Sequence, residues 1–185
     1  MHTPNDDRLI RALHAARTAR LTGALRVETR SDGVTLFFDA GRMYFATIDG
    51  LLPTTESFER NGIAREMLDA AARAPRAKDR FADALMSIGA PGAAVRTFGM
   101  RMVLNGLEKA AALIDAQFSA HDRSHPYGPA FTFDTDELLD TLGVTKTAAA
   151  PSPPEPHAPI HEDGGPGFKR RTGLRAAAMA AAERG

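Results

Sequence analysis

The sequence from residue 22 to residue 50 reads Thr22-Gly-Ala-Leu-Arg-Val-Glu-Thr-Arg-Ser-Asp-Gly-Val-Thr-Leu-Phe-Phe-Asp-Ala-Gly-Arg-Met-Tyr-Phe-Ala-Thr-Ile-Asp-Gly50. Its first part alternates apolar and charged residues, the period-two pattern of a half-buried strand. Asp32-Gly33 is typical of a hairpin turn, and Ala40-Gly41 predicts a second turn before Met43–Ile48. The stretch therefore predicts a three-stranded antiparallel meander. It contains no recognisable catalytic apparatus, which favours a scaffold over an enzyme.

A helix is predicted before this meander. Asn5, Asp6 and Asp7 offer capping side chains, and apolar residues from Leu9 to Leu21 recur near helical spacing, with Gly23 expected to close the helix.

The sequence after the meander is mainly helical. Apolar spacing predicts helices over residues 63–71, 81–88 and 91–114. Phe118–Ala120 and Ala130–Phe133 are predicted to pair as a hairpin. Asp134, followed three residues later by Glu137, predicts a capped final helix. Three helices followed by a hairpin are the outline of a winged helix, so the expected class is α+β.

Composition indicates a soluble globular body followed by a low-complexity end. The chain has 185 residues and equal totals of 23 basic and 23 acidic residues, yet residues 168–185 carry four Arg and one Lys against one Glu. Proline, alanine and glycine dominate residues 144–167, which predicts a disordered linker before a basic, helix-prone tail at 168–185. There is no Cys, no signal-peptide core and no run long enough for a membrane span, so a cytoplasmic location is expected.

Three elements resemble a known family. Gly23-Ala-Leu-Arg-Val27, the apolar run Val34–Ala46 with its Gly41-Arg42 turn, and Gly128-Pro-Ala-Phe-Thr-Phe133 resemble the PATAN-type domain, named for the N-terminal region of the PatA response regulator. In that family similar motifs flank a helical insert that resembles a winged helix. The resemblance covers roughly residues 7–142, except Leu51–Gly62, and there is no receiver domain.

The resemblance divides residues 1–143 into a meander half at about 7–50 and a winged-helix-like half at about 56–143. It implies a non-enzymatic regulatory module of bacterial signalling, with a partner related to two-component or small-GTPase systems. It brings no catalytic, cofactor or metal residue with it. Among its matching positions Arg42 lies at a turn, which makes it a candidate partner contact, with a simple turn preference as the alternative.

The sequence gives weaker support to metal binding and to catalysis. His121 and His125, and likewise His157 and His161, have the spacing of a helical metal-ligand pair but fall in a predicted loop and in the linker. Ser124 beside His125 lacks the surroundings of a catalytic nucleophile. Asp134, Asp136 and Glu137 fit a helix cap better than a calcium loop. We therefore assign no catalytic, cofactor or metal site.

The tail is the second candidate for partner binding, with mere solubilisation as its alternative and membrane binding disfavoured by its thin apolar face. Its candidate residues are Phe168, Lys169, Arg170, Arg171, Leu174 and Arg175. Thr172, which follows three basic residues, is a hypothetical phosphorylation site that would reduce the tail's charge.

The leading prediction is a non-enzymatic signalling adaptor that binds proteins. The alternative is a winged-helix transcriptional regulator that contacts DNA through Arg96, Arg101 and Arg123. The partner's identity and the oligomeric state stay open, and an exposed sheet edge would allow dimerisation.

Overall fold

A computed structural model describes residues 4–75, 77–78 and 80–143 of the chain. The predicted linker at 144–167 and the predicted basic tail at 168–185 lie outside the described residues.

The described chain has an α+β fold, as expected from the sequence. Its elements are α1 (Pro4–Thr18), β1 (Gly23–Glu28), β2 (Gly33–Asp39), β3 (Arg42–Ile48), α2 (Thr55–Glu59), α3 (Arg65–Ala72), α4 (Phe81–Ser87), α5 (Gly92–Ala112), β4 (Gln117–His121) and α6 (Thr135–Thr141).

The strands form one antiparallel sheet in the order β3-β2-β1-β4. The predicted meander is confirmed, but the predicted hairpin is wrong. Residues 117–121 pair with β1, so that Ser119 lies opposite Arg26. Phe133 instead makes an isolated bridge to Met43, at the other edge of the sheet. The pairing with β1 places Phe118 against the main core, which a hairpin with residues 130–133 would not do. The predicted winged helix therefore lacks the β-hairpin that would form its wing.

One face of the sheet, here called the inner face, is fully covered. It presents apolar residues such as Leu25, Val27 and Leu36 to α1, α5 and α6. The residues of this face form the larger of the two cores. Each aliphatic side chain buried there contributes roughly 1.5–3 kcal/mol.

The opposite, outer face is covered only in part. A bulge in β3 leaves Tyr44 without a partner, because Phe37 pairs with Phe45 while Phe38 pairs with Met43. Tyr44 and Phe45 consequently both belong to the second core, where they pack with α2–α5 and with the loop after β4.

The three helices predicted after the meander agree with the structure. Two other helices, α1 and α2, differ from the prediction. The first helix ends at Thr18, and Arg20 follows in a left-handed conformation with φ 50°, so the chain leaves the helix before Gly23. The short helix α2 was not predicted. It begins after Thr54, whose side chain accepts a hydrogen bond from the Ser57 amide. The predicted cap at Asp134 is confirmed, with the Asp136 amide as its donor.

Helix α5 contacts both cores. Val103 and Leu107 belong to the inner core, whereas Val95 and Phe98 belong to the outer one. The helix lies closest to the sheet at Gly106, where an added Cβ would lie 2.4 Å from the Cβ of Ala46. Glycine is required here because the Ala46 side chain occupies the space that a Cβ would need. Among the described helices none is long and apolar enough to cross a membrane.

Gly106→Ala should destabilise the protein by about 1–3 kcal/mol, because α5 must move away from β3 to admit the methyl group. Gly99→Ala is the matched control in the same helix. Its Cβ would meet nothing closer than 3.5 Å, so the gain in helix propensity should leave stability unchanged or raise it by up to about 1 kcal/mol. Urea unfolding of both variants measures the difference. Equal stabilities would contradict the close approach.

Candidate functional site: a polar groove on the open half of the sheet

The uncovered half of the outer face forms an open groove of about 590 Å³, here called the sheet groove. The strand register creates it by placing polar outward residues of three strands side by side. Its lining residues are Ala24, Arg26, Glu28, Thr35, Ser119, His121, Asp122 and Arg123.

Arg26 organises the floor of the groove. Its Nε donates to Glu28 at 3.0 Å, and its Nη1 donates to Asp49 at 2.8 Å and to Thr35 at 3.1 Å. Nη2 donates to the second oxygen of Asp49, which makes the pair bidentate. The hydrogen bonding between Arg26 and Asp49 lowers the pKa of the Asp49 carboxyl group and raises the pKa of the Arg26 guanidinium. The guanidinium is therefore held in place and stays charged, and its charge is compensated by Asp49 and Glu28.

The space for this guanidinium comes from Gly33. A Cβ at this position would lie 2.2 Å from Nη2 of Arg26. Any other residue would push Arg26 off the sheet, so the glycine in the predicted turn also shapes the groove.

The β4 side of the groove presents a hydroxyl and an imidazole. Ser119 Oγ and His121 Nε2 are 2.9 Å apart. Within the described part of the chain, the His121 ring has no hydrogen bond to a carboxylate. Arg123, at the end of the strand, donates its amide to the His121 carbonyl at 3.0 Å. These groups can bind a polar ligand through several hydrogen bonds, with Arg123 as a cation.

The loop after β4 is fixed by His125. Its ring stacks on Phe45 at a centroid distance of 4.3 Å and lies 5.0 Å from Phe37. Nδ1 accepts from the Tyr127 amide at 3.1 Å, and the His125 amide donates to the Tyr44 hydroxyl at 2.8 Å. Burial, assisted by the charge of Arg123, lowers the pKa of His125 to about 4. The ring is therefore neutral at physiological pH.

Tyr127 ties the same loop to α5. Its hydroxyl donates to the Val95 carbonyl at 2.9 Å, and burial raises its pKa. With His125 and Tyr44, it forms an aromatic wall of the outer core.

Arg42 has partners within the chain. Its side chain is 46 % exposed, yet Nε donates to Thr132 at 3.0 Å and Nη1 to Asp134 at 3.4 Å. Arg17 also contacts Asp134, at 3.8 Å, and pairs with Asp136. This ion cluster fastens the start of α6 to α1 and β3. The role of Arg42 as a partner contact stays a prediction.

The three arginines of the DNA-binding alternative are not brought together. Arg96 lies 5.5 Å from the ring centroid of Phe133, at the β3 edge, and Arg101 is an exposed residue of α5. Arg123 follows β4, at the opposite edge of the sheet. The helix that carries Arg96 and Arg101 packs its apolar side against the sheet.

The remaining candidate site residues from the sequence do not come together. His121 bonds to Ser119 while His125 is held in the aromatic cluster, so the two rings have different partners, and the described residues contain no group of three or more metal-ligating side chains. Phe168, Lys169, Arg170, Arg171, Thr172, Leu174 and Arg175 lie outside the described residues, as do His157 and His161.

Sequence reasoning missed the sheet groove itself. The alternation of Arg26 and Glu28 with apolar residues showed that β1 has a polar face. The link to Asp49 and Ser119 depends on strand pairing, which carries no local signal. Comparison with family models, with curated protein sequences and with solved structures found no match to this chain.

Acid should destabilise the protein through His125. Its pKa is about 4 in the folded chain against an ordinary value of 6.5, so the unfolded chain binds the proton first. Stability from this residue is complete above pH 6.5 and falls as the pH drops toward 4, by on the order of 2–3 kcal/mol.

The check is urea unfolding across this pH range for two matched variants. His125→Asn removes the titrating ring and should flatten the profile, at a lower overall stability because the stacking is lost. His121→Asn removes an exposed ring and should keep the slope of the parent protein. A parent-like slope in His125→Asn would contradict the assignment.

Proposed function

We propose that this protein is a non-enzymatic regulatory adaptor that binds a partner protein in the sheet groove. The observation that carries the proposal is the open polar half of the outer sheet face, beside a half that is closed by helices and aromatic side chains. The groove is built on strands, which hold their side chains more rigidly than loops do.

In this proposal the groove binds a polar protein segment, with an acidic group placed at the Arg123 rim. The charge of Arg26 is already compensated by Asp49 and Glu28, so Arg26 positions the floor and adds little attraction. Arg123 has no ion pair recorded within the described residues, and it stands at the rim beside Ser119 and His121. A carboxylate of the partner would pair with Arg123, while amide groups would bond to the hydroxyl and imidazole.

The resemblance to the PATAN-type domain supplies the biological setting of this proposal. It supports a cytoplasmic regulator whose partner belongs to a bacterial signalling system of the two-component or small-GTPase kind. The basic tail, in the same proposal, contacts a second, acidic surface. Two weak contacts made by one chain raise the overall affinity without a new contact in the body.

Arg123→Glu should weaken partner binding at least about tenfold, because it places a like charge opposite the partner's acidic group. Arg101→Glu is the matched control, the same charge reversal at an exposed position on α5. The tagged full chain and both variants are used to capture proteins from nuclease-treated native extract, and the captured protein is then titrated by calorimetry. Equal affinity of the two variants would refute the groove as the binding site.

The DNA-binding alternative differs from the adaptor proposal at Arg101, because it assigns DNA contacts to Arg101 as well as to Arg123. A gel-shift titration against genomic fragments at two salt concentrations would then show binding by the parent protein that Arg101→Glu weakens. Absence of a shift at micromolar protein would end this alternative.

Removing residues 168–185 should lower partner affinity and reduce its dependence on salt, because the tail carries a net charge of +4 from five basic residues and one acidic residue. The melting temperature should not change. Calorimetric titrations at low and high salt, together with thermal unfolding, measure both effects. An unchanged affinity would show that the tail only solubilises the chain.

A further inference from the structure

In the described part of the chain β4 is an edge strand, and its own residues lack the features that usually protect an edge. It lies at the end of the order β3-β2-β1-β4, and its sequence, Gln-Phe-Ser-Ala-His, contains no proline and no Asp, Glu, Lys or Arg. Natural edge strands usually carry charges, proline or bulges that prevent pairing with another chain. The other edge differs, because Phe133 bridges to Met43 of β3 through two hydrogen bonds of 2.7 and 3.1 Å.

The direction of the free backbone groups of β4 follows from the register. The Thr29 amide donates to the Asp32 carbonyl across the first turn, so the odd residues of β1 face β2 and the even ones face β4. Ala24, Arg26 and Glu28 therefore bond to their partners His121, Ser119 and Gln117. Consistently, the His121 carbonyl oxygen points at β1, 2.5 Å from where a Cβ on Gly23 would lie.

The amides and carbonyls of Phe118 and Ala120 consequently point outward, away from the sheet. Two donors and two acceptors at this spacing are self-complementary under a two-fold axis. We propose that β4 pairs antiparallel with β4 of a second copy of this chain, with the axis at Ser119. Phe118 of each copy then exchanges both backbone hydrogen bonds with Ala120 of the other, which gives four in all and a continuous eight-stranded sheet.

Side chains support the same register. The large ring of Phe118 falls beside the small Ala120 of the second copy, and Gln117 falls beside His121. The match of a large side chain with a small one on both sides of Ser119 argues for a second copy as the occupant.

Such a dimer would join the two sheet grooves. Ser119, His121 and Arg123 line the groove on its β4 side, so the two grooves would meet across the axis as one continuous polar surface. This consequence rests on the proposed function, whereas the dimer itself does not.

Sedimentation velocity of the full chain tests the pairing. The parent protein should be a dimer at tens of micromolar. Ala120→Pro removes the outward amide, a change that an edge strand tolerates, and should raise the dimer dissociation constant at least about tenfold. Ala120→Ser keeps the amide and the size of the residue, so it should stay dimeric. Unchanged circular dichroism and melting temperature would show that Ala120→Pro still folds.

A charge pair at the axis provides a second test that does not depend on proline. Ser119→Lys alone and Ser119→Glu alone should each be monomeric, because like charges then face each other across the axis. An equimolar mixture of the two should form a heterodimer.

A monomeric parent protein would overturn the proposal. A dimer that persists in Ala120→Pro, or a mixture that stays monomeric, would also overturn it, because the interface would then lie elsewhere. Partner capture by a monomeric protein would leave the adaptor proposal intact, so the two ideas fail separately.

Discussion

The contact between α5 and β3 at Gly106 constrains most of the structure. Because Gly106 has no side chain, the helix lies directly on the Ala46 methyl group. A rigid helix of 21 residues then carries Phe98 past the β3 edge into the outer core, while Val103 stays in the inner one. Both faces of the sheet are thus covered near β3. Near β4 the outer face is left open.

The boundary of the open region is set by aromatic packing. The bulge at Tyr44 adds a ring to the outer core, and His125 and Tyr127 stack on Phe45. The loop after β4 therefore turns toward β3 soon after Arg123. The His125 ring is stacked on Phe45 and hydrogen-bonded as a neutral base, which makes this wall a single unit.

The sequence allowed the fold class, the meander and the main helices to be predicted, since each depends on short-range periodicity. The hairpin prediction failed at β4. Phe118 and Phe133 suit strands, but their partners, Val27 and Met43, lie about 90 residues away in the chain. No local sequence pattern indicates such pairing. The apolar residue Phe118 was equally compatible with the hairpin of a winged helix. The sheet groove was missed for the same reason, because Arg26, Asp49 and Ser119 are adjacent only after the sheet has formed.

The position of β4 gives the two proposals a thermodynamic link. Its side chains at Ser119 and His121 face the sheet groove, while its backbone at Phe118 and Ala120 faces outward. A partner that contacts both joined grooves binds the dimer better than the monomer, so it must also strengthen dimerisation by the same factor. A partner confined to one groove has no such preference and leaves the dimer unchanged. The dependence of dimer affinity on partner concentration therefore reports whether the partner crosses the two-fold axis.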